Sequence, residues 1–436
     1  MMRTDHEATP LAWNRVHRYP QRVLDIERGL NSLPDSAGSV LPRGFGHSYG
    51  DSCLNADNTL LDTRGLNRVL SFDACTGVLH CEAGVTIGEV QRHATPHGWR
   101  LAVSPSTGLA SVAGCVAHDV HGRNHLRAGS FGHHLLEIEL IRGDGRHRCG
   151  PGSDEPLFRA TIGGLGLTGL ITTVRLQLRR VPSSFLQVET HAHTELSALL
   201  AHLDATAESH EYATAWLDMT DRQAFRGLLE LGDEGPGERS LPAEGPRPRV
   251  PFDLPRWCVN RPAAQAFNRA YHRLGERRRP GPAGYRTYLY QMDSLGDWNR
   301  LLGRKGFYQY HFLVPAAAVR AGLPRLLDAV RRSDNLVVLA ILKRYGPSAA
   351  PGLMSFPFHG LGGAFDFVNR GERTLGLFRE LDRLLAELGG RVYLAKDSAL
   401  DPDTFGLMYP RWTAFREFVD PRFSSSLWRR VTGEQG

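Results

Sequence analysis

Residues 43–51, Arg43-Gly44-Phe45-Gly46-His47-Ser48-Tyr49-Gly50-Asp51, follow a short apolar strand at Val40 and Leu41 and gather glycines, an imidazole, hydroxyls and a carboxylate in one loop. Glycines let backbone N–H groups converge on a phosphate without Cβ clashes, and Ser48 adds a hydroxyl donor. A plain turn is the commoner reading of a lone GxG pair. No Gly-Lys-Ser/Thr follows, as a Walker loop requires, and no GxGxxG opens a long helix, as a Rossmann unit requires. Two more glycine-rich stretches share this half of the chain. One runs from 104–108 (SPSTG) through Ala113-Gly114 to His121-Gly122-Arg123-Asn124 and on to Gly129-Ser130-Phe131-Gly132; the other is 160–169, leading into a strand at Leu170. A dinucleotide lying along the domain, touched by backbone amides at several points, accounts for all three.

A second set of reactive groups lies further along. Gln309 and His311, and Lys343 and Tyr345, alternate on strand-like segments, which directs each pair to one face and makes that face a pocket floor. His311 there is an acid/base candidate or simply a hydrogen-bonding group. Lys396, in Tyr393-Leu394-Ala395-Lys396-Asp397-Ser398, is either a surface lysine at a strand end or an ammonium set beside a cofactor or substrate oxygen. His121 is read equally as a cofactor contact and as a buried, satisfied histidine.

The elements that must position these groups fall into two textures. The first ~180 residues read as short strands between glycine loops: 69–72, 78–82, 135–142 and 170–181, with a helix opened by Thr86 and Glu89 at capping-box spacing. After Pro182, strands near 184–193, 212–219 and 224–231 surround a helix carrying Leu196, Leu199, Leu200 and Leu203. The stretches 232–255 and 276–284, rich in Pro, Gly and charge, read as mobile loops. From 308 the order is strand (308–314), helix (316–332), strands (335–345 and 354–368), helix (372–388), strand (391–396) and helix (402–419), which suits one sheet covered by helices. The class is α+β, and no repeat emerges.

At 436 residues the chain exceeds the size of one core, so two domains are expected. Composition is that of a water-soluble protein, 41% hydrophobic and 22% charged. The net charge of +6 is scattered, with Arg277-Arg278-Arg279 the longest basic run, which argues against nucleic acid. Six cysteines without CxxC spacing read as reduced thiols, and the histidines never take HExxH spacing, so no metal is expected. No apolar run of transmembrane or signal-peptide length appears, which points to the cytoplasm.

The order RGFGHSYGD, SPSTG, HDVHGRNH, AGSFGHH and ATIGGLGLTGLI resembles the FAD-binding half of the vanillyl-alcohol oxidase/p-cresol methylhydroxylase (PCMH-type) superfamily, and within it the prenylphosphoryl-ribose oxidase family. The likeness continues in 296–315, 342–358 and 389–411, and is poor over 183–285. It implies a two-domain flavoenzyme: a PCMH-type FAD-binding domain (1–182), a sheet-floored α+β substrate domain (183–390) and a C-terminal segment (391–436) returning to the FAD domain. It further implies that Gly44, Gly46, His47, Ser48 and Tyr49 hold the pyrophosphate and ring region. Gly108, Ala113, Gly114, His121, Gly122, Asn124 and Ile171 would line the rest of the cofactor.

The superfamily often bonds FAD covalently to a histidine in this loop, whereas the ribose oxidases carry arginine there; His47 therefore implies covalent histidyl-FAD. Lys396 matches a lysine beside the flavin that is needed for activity. The implied reaction is loss of a hydroxyl proton, assisted by Lys396 or His311 with Gln309 and Tyr393 nearby, and hydride transfer to flavin N5. Lys343, Tyr345 and Ala364 would face the substrate. Ala364 replaces the pocket cysteine of mycobacterial members, and Gly362 and Gly363 replace larger residues, implying a reshaped floor. These departures lean towards a soluble carbohydrate, such as a natural-product aminosugar, over a polyprenylphosphoryl pentose, for which Val250, Phe252, Leu254 and Trp257 offer apolar material. Oxygen or another acceptor would reoxidise the flavin. A flavin-binding protein without catalysis is the reading from another class.

Overall fold

The computed structural model describes residues 5–36, 38–221, 224–240 and 247–434. Its architecture is α+β, with sheets distributed over two units. The N-terminal unit opens with β1 (Asp5–Ala8), β2 (Gln21–Asp25), β3 (Val40–Arg43) and β4 (Thr59–Asp62), in the sheet order β1-β2-β4-β3. It continues through β5 (Val69–Phe72), β6 (Val78–Glu82), α1 (Ile87–Ala94), β7 (Trp99–Arg100), α2 (Val112–Ala117) and α3 (His125–Ala128). Then come β8 (Leu135–Arg142), β9 (Gly145–Cys149), α4 (Glu155–Thr161), β10 (Leu170–Gln177) and β11 (Arg179–Arg180). A second, antiparallel sheet runs β5-β6-β10-β8-β9. The capping box at α1 forms as the sequence predicts: the Glu89 carboxylate accepts from the Thr86 N–H at 2.7 Å while Thr86 Oγ1 accepts from the Glu89 N–H.

The second unit contains β12 (Phe185–His193), α5 (Leu196–Thr206), β13 (Tyr212–Leu217), β14 (Gly227–Glu234), α6 (Arg261–Glu276), β15 (Gly281–Gly284) and α7 (Tyr285–Leu289). It continues with β16 (Phe307–Pro315), α8 (Val319–Arg332), β17 (Val337–Tyr345), β18 (Gly360–Val368), α9 (Glu372–Glu387) and β19 (Arg391–Val392). All eight strands are antiparallel, in the order β15-β12-β14-β13-β17-β18-β16-β19. The alternation of β16 explains the two-sided burial. Tyr308 and Tyr310 meet Phe378 of α9 on one face, which frees Gln309 and His311 for the other.

The segment after β19 carries α10 (Pro402–Met408), α11 (Trp412–Arg416) and α12 (Ser426–Thr432) and returns to the N-terminal unit. The Val40 N–H donates to the Arg422 carbonyl, extending the β3 edge, and the Arg430 guanidinium bridges Asp51 and Asp397 at 2.7 and 2.9 Å. Between the units, Arg179 pairs with Glu211 and Glu234, and the buried Arg100 also pairs with Glu234.

Several elements differ from their sequence expectation. The apolar run 354–368 is a strand only from Gly360; Met354 and Phe356 are buried without joining the ladder, because burial and pairing leave the same hydrophobic signature. The strand expected at 391–396 ends at Val392, and Tyr393 to Lys396 form a turn closed by Lys396 N–H to the Tyr393 carbonyl at 2.8 Å. The helix expected over 402–419 breaks into α10 and α11 around Pro410. The stretch 276–284, expected as a loop, supplies β15, which pairs with β12. In 232–255, β14 extends to Glu234 and Val250 N–H bonds the Gly296 carbonyl, while 241–246 lie outside the described residues. Helix α6 had no counterpart in the sequence reading, since its pattern is inverted, as described below.

Candidate active site

Between the glycine loops and the eight-stranded sheet lies a cavity of about 740 Å³. The loop after β3 forms one wall. It is held by Trp13 N–H to the Ser48 carbonyl and Tyr49 N–H to the Ala395 carbonyl, each 2.9 Å. Gly46 takes φ +68°, and a Cβ on Gly44 would stand 2.5 Å from Ser111 Oγ, the N-cap of α2, so both positions need glycine. The 160–169 loop clamps α2 from the other side, through Gly163 N–H to the Val116 carbonyl and Leu165 N–H to the Ala117 carbonyl.

Of the expected cofactor residues, Gly44, Gly46, His47, Ser48 and Tyr49 line the cavity, as do Ala113, Gly114, His121 and Ile171. Three are placed elsewhere. Gly108 N–H donates to Asp293 Oδ2 at 2.7 Å, a Cβ on Gly122 would meet the Asn124 side chain and the Ser104 carbonyl, and Asn124 donates to the Ala102 carbonyl and Glu211. They shape the turns behind the wall.

The floor comes from the register of three strands. Gln309 pairs with Asp366 and His311 with Ala364 across β16 and β18, while Lys343 pairs with Gly362 across β17 and β18. All six line the cavity, and Lys396 and Tyr393 reach it from the turn after β19. Tyr345 is fully buried beneath the floor, its hydroxyl 3.3 Å from His311 Nε2. Its ring occupies the space a side chain at Gly362 would need, and Phe312 fills that at Gly363. The small residues therefore open no extra room at those two positions, contrary to the reshaping expected from the sequence.

Electrostatics at the floor are governed by burial. The Lys396 amine lies 3.4 Å from the Tyr49 ring centroid, and burial brings its pKa down to about 7 against the opposing pull of Asp366. Burial, then Arg123 and Lys396, brings Lys343 down to about 7 as well. Burial raises Asp366 to about 7, although its Oδ1 accepts a 2.6 Å bond from Gln309 Nε2. His121 and His311 are buried together with Phe356 and Tyr393, and burial holds both imidazoles far below their usual pKa; neither Nδ1 has a partner among the described residues. Burial, Lys396 and Arg43 lower His47 to about 4, leaving a neutral ring 4.8 Å from that of Trp13.

The sequence reading passed over Asp366, although its alternation with Ala364 puts it on the same face. It also missed Arg123, which pairs with Glu230 at 2.9 Å and Gln291 at 2.7 Å on the cavity wall. The arrangement fits FAD: side-chain-free backbone at one end, and at the other neutral imidazoles with unpartnered nitrogens beside two lysines of lowered pKa.

Comparison with known proteins agrees with this geometry. Residues 16–150 match the family described as FAD binding domain. The chain is 33% identical to decaprenylphosphoryl-beta-D-ribose oxidase of Mycolicibacterium smegmatis, over 97% of this chain and 96% of the relative. It is 22% identical to L-gulono-1,4-lactone dehydrogenase of Mycobacterium tuberculosis over 89% of each. L-gulonolactone oxidase of Mus musculus is 28% identical over 45% of this chain and 44% of its own. With a glycine-walled cradle, a reactive floor and that extent of shared sequence, the protein belongs to the PCMH-type FAD flavoproteins, in the family of decaprenylphosphoryl-beta-D-ribose oxidase, and is an FAD-dependent oxidoreductase.

Proposed function

We propose that the protein oxidises a ring hydroxyl of a carbohydrate carried on a polyprenyl phosphate, giving a ketone. The observation that carries this reading is the convergence of Gln309, His311, Lys343, Asp366 and Lys396 on one cavity whose wall also holds Trp216, Tyr271, Arg247 and Arg249. Polar groups for a sugar lie at its floor, with aromatic and cationic groups around them for an apolar chain and its phosphate.

Bound FAD supplies the acceptor for the hydride leaving the carbinol carbon. The chain's own residues manage the proton. With its pKa near 7, Lys396 has a substantial neutral fraction at physiological pH and takes the hydroxyl proton at Nζ. Gln309, held by Asp366, orients the sugar, and the neutral His311 presents Nδ1 for a second hydrogen bond. Gly44 to Tyr49, Ala113, Gly114 and Ile171 hold the cofactor. His47, neutral and on the cavity wall, would form the covalent bond to FAD; that bond replaces a C–H of the flavin methyl group and leaves the cofactor reduced by two electrons, which oxygen or the other acceptor that reoxidises it would remove.

The test is anaerobic mixing of holoenzyme with a prenylphosphoryl pentose. Bleaching of the flavin band is expected, and its absence would refute the reading. A second reading, a soluble aminosugar, draws support from Asp366 and Glu230, two carboxylates on the wall that suit an ammonium group. Bleaching by an aminosugar but not by the prenylphosphoryl sugar selects it. Peroxide formed on reoxidation in air identifies oxygen as the acceptor.

A further inference from the structure

Helix α6 is inverted. Its buried positions are polar: Asn268, which donates to Asp218 Oδ1 at 2.8 Å, and His272, with Gln265 donating to the Thr220 carbonyl nearby. Its outer face is apolar: Phe267, Tyr271 and Leu274 are 67%, 37% and 69% exposed, at the i, i+4, i+7 spacing that normally faces a core. Phe267 and Tyr271 stack with centroids 6.2 Å apart. Trp257 and Phe252, just ahead of the helix, are 77% and 62% exposed. Single exposed apolar residues need no explanation, but half of the ten large ones exposed among the described residues fall within 252–274.

The charge around this face has one sign. Between 261 and 279 stand six arginines (261, 269, 273, 277, 278 and 279) against the single acid Glu276. Arg269 and Arg278 reach Asp221 and Glu230, and Arg273, Arg277 and Arg279 are exposed at and beyond the last turn. No helix among the described residues is long and apolar enough to cross a membrane, so any attachment through α6 is peripheral.

We propose that α6, with Trp257 and Phe252, docks on the surface of an anionic phospholipid bilayer. The apolar stripe enters the boundary between headgroups and acyl chains, and the arginines meet lipid phosphates. Charge selects this occupant over a second copy of the chain, because a two-fold contact through α6 would bring arginine-rich faces together. Tyr271 belongs to both surfaces: it is on the exposed stripe and also lines the cavity, against Trp216 at 5.0 Å. Docking therefore sets the cavity mouth at the membrane, where a lipid-borne sugar enters without carrying its chain through water. That consequence rests on the lipid-borne reading of the substrate; the docking does not.

The test is co-sedimentation of holoenzyme with vesicles of phosphatidylglycerol and phosphatidylcholine in equal parts, and with vesicles of phosphatidylcholine alone. The wild type is expected to pellet with the anionic vesicles. F267D/L274D should bind at least about tenfold more weakly while keeping its flavin spectrum and its reduction by a short-chain, water-soluble prenylphosphoryl pentose. R273Q/R277Q/R279Q should lose the preference for anionic lipid. Wild type left in the supernatant with anionic vesicles overturns the proposal. So does a wild-type dimer in sedimentation velocity that F267D/L274D converts to monomer, which assigns the face to a second copy. Vesicle binding without turnover of any prenylphosphoryl sugar upholds the docking and refutes the substrate reading.

Discussion

The Lys396 ammonium rests 3.4 Å from the centroid of the Tyr49 ring, which joins the turn after the last strand of the sheet to the first glycine loop of the chain. Burial disfavours the cation while Asp366 favours it, and the balance leaves the amine with a pKa of about 7, where a proton acceptor is most useful. Lys396→Ala should slow anaerobic flavin reduction by about 10²–10⁴-fold. Lys396→Arg, a cation that holds its proton, should not restore the rate if the amine is the base. The wild-type reduction rate should rise with pH through about 7. Stopped-flow absorbance of the three proteins across pH checks all three statements, and a rate independent of residue 396 would remove it from the mechanism.

Asp366 carries the opposite sign. Its carboxyl is raised from 3.8 to about 7 by burial, so between those values the folded chain holds a proton that the unfolded chain has released. The stability this contributes is full below pH 3.8 and is lost as pH rises through about 7. Asp366→Asn removes that loss, and the melting temperature of the apoprotein at pH 8 should rise by a few degrees relative to wild type. The KM for sugar should change little, because an asparagine amide oxygen still accepts from Gln309 Nε2, whereas Asp366→Ala removes that acceptor and should raise it. Thermal melts at pH 5 and pH 8 read the first effect, and steady-state kinetics the second.

Covalent attachment through His47 predicts yellow protein after acid precipitation of wild type and a colourless precipitate with flavin in the supernatant for His47→Ala. Yellow supernatant from both proteins would mean that the cofactor dissociates.

Ala364 stands on the floor opposite His311. Of the native thiols, Cys53 and Cys115 also line the cavity, but burial raises the pKa of both and keeps them protonated. Ala364→Cys should therefore gain one cavity-directed thiol label beyond any that the exposed Cys75 and the half-buried Cys258 take in wild type, and should be inactivated by it. Intact mass after labelling decides this, and equal labelling of wild type would contradict it.

Gly50 has no room for a side chain, since a Cβ there would fall 1.6 Å from the Asp397 carbonyl oxygen. Gly50→Ala must push the 393–397 turn away from the loop, at a cost of about 1–3 kcal/mol, and should weaken FAD retention along with activity. Unfolding in urea and flavin content of the purified variant measure the two effects.

Much of this site was legible because its parts are local. Glycine loops announce themselves in residue type, and strand alternation alone directs Gln309, His311 and Lys343 to one face. The parts that were not legible depend on partners distant in sequence. Tyr345 shares the parity of Lys343 yet lies under the floor, because the ring folds over Gly362 of the neighbouring strand. Gly108 sits in a phosphate-like motif but spends its N–H on Asp293, far along the chain. Helix α6 escaped because its stripe points outward, and a pattern search assumes that apolar residues seek a core.

The clamp of Arg430 on Asp51 and Asp397 has a consequence for the order in which the protein is made. The glycine loop leaves the ribosome early, yet the carbonyl that receives the Tyr49 N–H, the strand partner of Val40 and the cation that neutralises Asp51 all come from residues 395–430. The cofactor cradle is thus a composite of the earliest and the latest parts of the chain. An N-terminal half by itself would hold an unfinished sheet edge and a buried carboxylate without its cation, so the cradle needs residues 395–430 in place before it is complete.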